Sequence, residues 1–322
     1  MNKKQLNILL LGAGKRVSFC EYLLKTAESL NIKVRIFAYE TEEFVPIIKY
    51  AKIILGKKWR DPEAKKDLLK IVEKNKIQVI VPFMDGATTF LSELKEKELK
   101  NSSILCLVSP LKTCEIFLDK REASKWCEEN QINSPKVCQN LKRKGCEYPL
   151  IAKKVFGFGS RDIFIIRNVR DINYFLGGYD PEEYLIQEFI EGEEFTIDAY
   201  VDKSKKIIAV VPRRRIAVID GEVNKSQTVY NQKIIDFCKN ILAKENFYGP
   251  VTIQVIVDKK GDIYFIEINP RFGGGVILTF EAGGDYIKYF LKEYFNQKLK
   301  KLINWKKNLY MLRANQEIFL KK

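Results

Sequence analysis

The chain has 322 residues, 46% of them hydrophobic and 30% charged, with 56 Lys plus Arg against 41 Asp plus Glu, a net charge of +15 and no histidine. This composition excludes a disordered chain, and the length suits about two domains at roughly 150 residues each. The missing histidine excludes His-based triads, Cys-His dyads, His-ligated zinc and imidazole bases, so any chemistry falls to carboxylates, Lys, Arg, Tyr, Ser, Cys or a bound metal.

The first residues, MNKKQLNILLLGAGKR, begin basic and turn apolar, as a secretory leader would. The apolar run stops at Gly12-Ala13-Gly14 with no small-residue cleavage site, so residues 6–14 read as a first β-strand. Val17, Tyr22, Leu23, Leu24 and Ala27 then recur at near-helical spacing. Strand patterns at 33–39 and 77–83 flank a polar helix near 62–75, and 104–109 reads as a further strand. This alternation predicts an N-terminal Rossmann-like parallel sheet with helices on its faces. The Gly-Ala-Gly turn lacks the third glycine of a dinucleotide fingerprint, so a nicotinamide or flavin site is the weakest reading of it.

A helix is expected at 118–130, and strand, glycine-rich turn, strand over 148–168. Two strands around Gly192 follow within 183–202. Residues 206–223 are β-rich, and 231–245 carry Ile234, Ile235, Phe237, Cys238, Ile241 and Leu242 on one helical face. Residues 251–275 form a hairpin running into glycines, followed by a helix near 284–300 and a last strand near 309–320. The front of the chain is therefore α/β and the back α+β.

The seven cysteines (20, 106, 114, 127, 138, 146 and 238) are odd in number and none is spaced CxxC. Reduced thiols in a cytoplasmic protein are expected, not a zinc ribbon or a disulfide framework. No apolar run reaches the ~18 residues of a membrane span. The lysine runs KKQ, KEKELK and KLKKLINWKK read first as solvated faces and second as attraction for a polyanionic small molecule. No nucleic-acid motif is present.

The chemistry concentrates in the hairpin. With Lys259-Lys260-Gly261-Asp262 as its loop and Asp258 paired to Ile263, Gln254 lies opposite Glu267. Side-chain alternation then puts Gln254, Glu267 and Asn269 on one face within ~5–7 Å, together with Ile263 and Phe265, while Tyr264, Ile266 and Ile268 face away. Arg271 follows on the site side. Oxygen donors with one carboxylate suit Mg2+, and the arginine suits charge developing on a phosphoryl group. Upstream, Lys153 precedes Gly157, Gly159 and Ser160, whose backbone can approach phosphates, although the lysine comes before the glycines and not after them as in a Walker A loop. In QEFIEGEEF, Glu188 and Glu194 stand six apart.

On these stretches (Asp119-Lys120, IAKKVFGFGS, QEFIEGEEFTID and TIQVIV…FIEINPRFGGG) the chain resembles the ATP-grasp superfamily, in the branch like the carbamoyl-phosphate synthase large chain. Residues 1–108, with VPFMDG at 81–86, resemble the preceding α/β domain. The resemblance implies a small lid subdomain at 109–190 and a large subdomain at 191–322. It implies that Lys120 and Lys153 bind ATP, that Gly157–Ser160 close over the phosphates, that Glu188, Phe189 and Ile190 line the adenine pocket, and that Glu194 holds the ribose. Gln254, Glu267 and Asn269 would bind Mg2+, two ions with Mn2+ as a substitute. Arg271 would stabilise the acyl phosphate, and at least one of Arg213, Arg214 and Arg215 would face the γ-phosphate or the acid substrate, alternate residues of a strand facing opposite ways. Lys154 stands where the pattern commonly has proline, and Arg161-Asp162 where a glycine is frequent. The implied activity joins a small-molecule carboxylate and an amine through an acyl phosphate, releasing ADP and phosphate. A bicarbonate-phosphorylating enzyme and a non-catalytic ATP-binding module are the alternatives. A homo-oligomer is left open.

Overall fold

The computed structural model describes residues 4–138, 147–157, 162–219 and 221–320. Strand β1 (Lys4–Leu11) buries its last six residues in succession. A strand covered on both faces belongs inside a parallel sheet. Around it β2 (Ile32–Glu40), β3 (Ala51–Leu55), β4 (Val79–Pro82) and β5 (Leu105–Cys106) complete an all-parallel sheet in the order β3-β2-β1-β4-β5. Leu6, Ile8 and Leu10 turn to one face, against α1 (Val17–Ser29). Leu9 and Leu11 turn to the other, against α2 (Ala64–Lys74) and α3 (Asp85–Lys97).

Two short helices follow, α4 (Leu111–Leu118) and α5 (Lys120–Glu129), the second capped by the Asp119 carboxylate, which accepts from the N–H groups of Arg121 and Glu122. A small antiparallel sheet comes next. Its central strand β6 (Leu150–Lys154) lies between β7 (Ile163–Ile166) and β8 (Tyr184–Glu188), and α6 (Val169–Gly178) covers it through Ile172 and Phe175.

The remaining strands are β9 (Gly192–Val201), β10 (Ile207–Ile219), β11 (Glu222–Thr228), β12 (Gly249–Asp258), β13 (Ile263–Asn269) and β14 (Tyr310–Leu312). They form one antiparallel sheet in the order β13-β12-β9-β10-β11-β14. Helix α7 (Gln232–Lys244) packs on it, joined by α4 and α5, whose Phe117 and Trp126 share a core with Phe247 and Phe265. Although α4 and α5 stand beside the small sheet in sequence, their apolar faces belong to the large one. Helices α8 (Val276–Glu281) and α9 (Tyr286–Tyr294) complete the list. The α8–α9 side shares a single cluster with the first domain: Phe272 lies 5.0 Å from Phe19 and 5.9 Å from Phe83, ring to ring. That shared core fixes the first sheet against the loop that follows β13.

Several expected elements are shorter than their patterns. The strand at 104–109 is only Leu105–Cys106, and the last strand only Tyr310–Leu312. The helix expected to 300 stops at Tyr294, with Asn296 in a left-handed conformation at φ 54°. Cys138 is disulfide-bonded, against the expectation of reduced thiols throughout; it sits half-buried in a loop packed against the core of the small sheet. Cys20, Cys106, Cys114, Cys127 and Cys238 are free and buried.

A buried ion pair ties the large sheet together. Arg213 donates to both Asp198 oxygens, at 2.7 and 3.0 Å, with both side chains almost fully enclosed, and Thr279 donates to the same carboxylate. Removing one charge strands the other. Asp198→Asn should therefore cost about 3–5 kcal/mol in chemical denaturation.

Candidate active site

Strands β12 and β13 pair Thr252 with Asn269, Ile253 with Ile268 and Gln254 with Glu267, as the sequence leads one to expect. Beyond that point the register shifts by one. Val255 faces Phe265 and Val257 faces Ile263, so the expected Asp258–Ile263 pairing is replaced and Ile266 is an extra, bulged residue. The bulge corrects the facial assignment. Phe265 and Ile268 both point into the core, 3% and 2% exposed, while Ile266 and Glu267 both line the cleft.

The polar groups converge. Glu267 Oε1 accepts from Gln254 Nε2 at 2.8 Å and from Asn269 Nδ2 at 2.6 Å. Asn269 Oδ1 accepts from Arg271 Nη2 at 3.1 Å. Arg271 Nε reaches Asp85 Oδ1, the first residue of α3, at 2.6 Å. Burial lowers the Arg271 pKa, but Asp85 and Glu267 outweigh it and leave the guanidinium firmly charged. Asp85 had no role in the sequence reading, although it stands inside VPFMDG; nothing in a sequence pairs it with a residue 186 positions away.

Facing this patch is a cavity of ≈260 Å³ between the small and large sheets. Lys120, Lys153, Gly157, Glu188, Phe189, Ile190, Glu194 and Glu267 all line it, with Pro135, Ile151, Ile163, Ile256 and Ile266 supplying apolar wall. Gly159 and Ser160 lie outside the described residues. Lys120 Nζ donates to Gly157 O at 2.9 Å, which ties α5 to the start of the glycine turn. Glu188 ends β8, and its carboxylate accepts from Lys136 N at 3.0 Å. Gly192 starts β9 so close to β12 that a Cβ would sit 2.2 Å from Val257 O, which forces glycine where the chain crosses between the sheets. Glu194 pairs with Arg215 Nε at 3.0 Å.

The three arginines of β10 separate. Arg214 points away, to the exposed Glu193. Arg215 faces Glu194 and Thr196. Arg213, on the same side as Arg215, is 1% exposed beneath the turn at Gly273–Gly275 and held by Asp198.

Two rival chemistries lose ground here. Burial pushes the thiols of Cys20, Cys106, Cys114 and Cys127 up to about 12, so none is poised as a nucleophile. In the Gly12–Gly14 turn, Glu40 Oε1 accepts from Ala13 N at 2.6 Å, and burial raises this carboxyl to about 7. The amides that would greet a dinucleotide phosphate already hold an acid of the chain itself.

Residues 117–275 match the ATP-grasp domain family, and residues 8–106 match the PylC-like N-terminal domain. The 117–275 part of the chain is an ATP-grasp domain. Among curated proteins, the carbamoyl phosphate synthase large chain of Caldanaerobacter subterraneus subsp. tengcongensis is 25% identical over 265 residues, covering 75% of this chain and 24% of its own. The chain thus spans about a quarter of the length of the curated relatives it matches. Two solved structures share the ATP-grasp fold. The biotin carboxylase domain of Hydrogenobacter thermophilus 2-oxoglutarate carboxylase, in complex with MgADP and bicarbonate, matches at TM-score 0.74 and 18% identity, over 94% of this chain and 73% of that one. The L-amino acid ligase of Bacillus licheniformis matches at TM-score 0.69 and 18% identity, over 93% and 76%.

Lys153 gives this ATP-grasp cleft a pH signature. Burial lowers its pKa from the ordinary 10.5, opposed by Glu267 and Glu194 and reinforced by Lys120. The charged form attracts phosphate. Mg-ATP affinity, measured by calorimetry, should therefore fall as pH rises, with a midpoint below 10.5. Lys153→Ala should weaken binding and remove that dependence, and Lys153→Arg should remove the dependence alone.

Proposed function

We propose that the chain is an ATP- and Mg2+-dependent carboxylate–amine ligase. A substrate carboxylate attacks the γ-phosphate of ATP to give an acyl phosphate and ADP. An amine then displaces phosphate and forms the C–N bond. The observation that carries this reading is the chain Gln254–Glu267–Asn269–Arg271, hydrogen-bonded end to end beside a cleft lined by three lysines.

The donor set fits magnesium. Among the described residues no three His, Cys, Asp or Glu side chains converge on a metal-sized site. One carboxylate with two side-chain amides suits an ion that completes its shell with phosphate oxygens and water. Gln254, Glu267 and Asn269 would hold it, and when bound it offsets the charge between triphosphate and carboxylate.

The protein's own groups supply the rest. Lys153 and Lys120 attract the phosphates, and the Glu188–Ile190 crossing and Ile266 enclose the base. Glu194, half-exposed and braced by Arg215, is placed for ribose hydroxyls. Arg271, kept charged and aimed by Asp85, offsets negative charge at the transferring phosphoryl group. Arg213 acts from below by supporting the Gly273–Gly275 turn, while Arg215 is the second guanidinium beside Arg271. We assign residues 1–108, 109–190 and 191–322 to the first domain, the lid part and the large part. No helix among the described residues is long and apolar enough to cross a membrane; we place the reaction in the cytoplasm.

A second reading has bicarbonate as the acid. The likeness to the large chain of carbamoyl phosphate synthase and the bicarbonate in the Hydrogenobacter complex favour it.

Glu267→Gln keeps shape and removes charge. It should abolish acid-dependent ADP release while leaving the far-ultraviolet circular dichroism unchanged. Turnover equal to wild type would refute the ligase. Supplying bicarbonate as the sole acid separates the two readings through phosphate release.

A further inference from the structure

Arg16 precedes α1, and its side chain is half-buried, 21% exposed. Burial lowers its pKa; Glu222 works against that, while Arg271 and Arg313 add to it. Among the described residues the carboxylate nearest to it is Glu222, at 3.7 Å, beyond hydrogen-bond reach. That carboxylate is taken more closely by Arg313, Nη1 to Oε2 at 2.5 Å. Arg313 Nη2 also donates to the carbonyl of Gly274. A Cβ on Gly274 would stand 3.1 Å from Arg16 Nη1 and 3.4 Å from Arg313 Nη2.

Three distant segments thus meet over one turn: the loop before α1, the start of β11, and the residues after β14. Arg16, Arg271 and Arg313 face Glu222 and Asp85 there; Asp85 is spent on Arg271, on which Glu267 also acts. The loosest of these pairs is that of Arg16, whose carboxylate partner stands 3.7 Å away and is held more closely by Arg313. A half-buried cation with a partner out of hydrogen-bond reach is costly unless an anion arrives. The guanidinium fork matches the planar carboxylate and the phosphate edge, and it rejects a neutral tail because it would stay unpaired.

On the reading that the cleft activates a carboxylate beside Arg271, we propose that Arg16 receives a second anionic group at the far end of the same substrate. The acid is then a dianion, either a dicarboxylate or a phosphorylated acid. The turn at Gly273–Gly275 lies between the two anionic ends.

The test uses the whole chain with Mg-ATP and hydroxylamine as the trapping amine, reading ADP and hydroxamate. Succinate, glutarate and L-glutamate form the dicarboxylate arm, 3-phosphoglycerate the phosphate arm, and butyrate and L-alanine the single-charge controls. A dianion should exceed the controls by about ten- to a hundredfold in kcat/KM. Arg16→Gln should erase that preference by raising KM for the dianion, with KM for Mg-ATP and the Mg-ATP thermal shift unchanged. The proposal is overturned if the controls react as well as every dianion, if a control reacts and no dianion does, or if Arg16→Gln slows all acids alike. The wild-type panel decides without any variant. Loss of the ligase reading is seen separately, as failure of every acid in the panel, dianion or control, to release ADP.

Discussion

Glu267 is held by amide donors on either side, and the second of these amides passes the connection through Arg271 to Asp85. The line runs from the middle of one strand pair to the first turn of a helix in another domain. Its geometry depends on the packing of Phe272 against Phe19 and Phe83, directly after Arg271. Apolar packing fixes where the domains stand, and the polar chain then fixes where the charge stands. In a partly buried setting such a network is rigid only while each member has a partner. Both amides donate to Oε1 of Glu267, so neither of them occupies Oε2.

The convergence of Gln254, Glu267 and Asn269 was legible because period-two alternation is rigid and polar residues on an otherwise apolar hairpin stand out. The bulge was not. Ile266 is flanked by Phe265 and Glu267, and an extra apolar residue leaves no mark on a run of apolar ones. The same alternation explains why Arg213 and Arg215 share a side, but not why Arg213 is the buried one: that follows from Asp198 on the neighbouring strand and from the turn lying over it. Helix α3 hid for a different reason. Its buried face includes Thr88 and Ser92 beside Phe90, Leu91 and Leu94, which blurs the apolar period.

The chain has glycine-rich turns at Gly12–Gly14 and at Gly273–Gly275, and their surroundings give them opposite electrostatics. At the first, the Glu40 carboxylate takes the Ala13 amide, so the turn is closed by an internal anion. At the second, guanidinium groups from Arg16, Arg213 and Arg313 crowd the backbone, so the turn is approached by cations. Glycine spacing in the sequence treats the two alike. What separates them is the identity of the side chain that tertiary folding delivers.

The excess of +15 is likewise not uniform in meaning. Lysines such as Lys66, Lys97 and Lys125 pair with acids three or four residues away on exposed helix faces, where solvent screens them and they contribute little. Arg16, Arg271 and Lys153 are different in kind. Each is withdrawn from water, and each is set against a carboxylate supplied from another part of the fold. Holding cations there costs folding energy, which an anionic ligand recovers when it binds. The acid that recovers most is the one with an anion for each end of the turn, and this makes the placement of Arg16 a matter of specificity and not of surface charge.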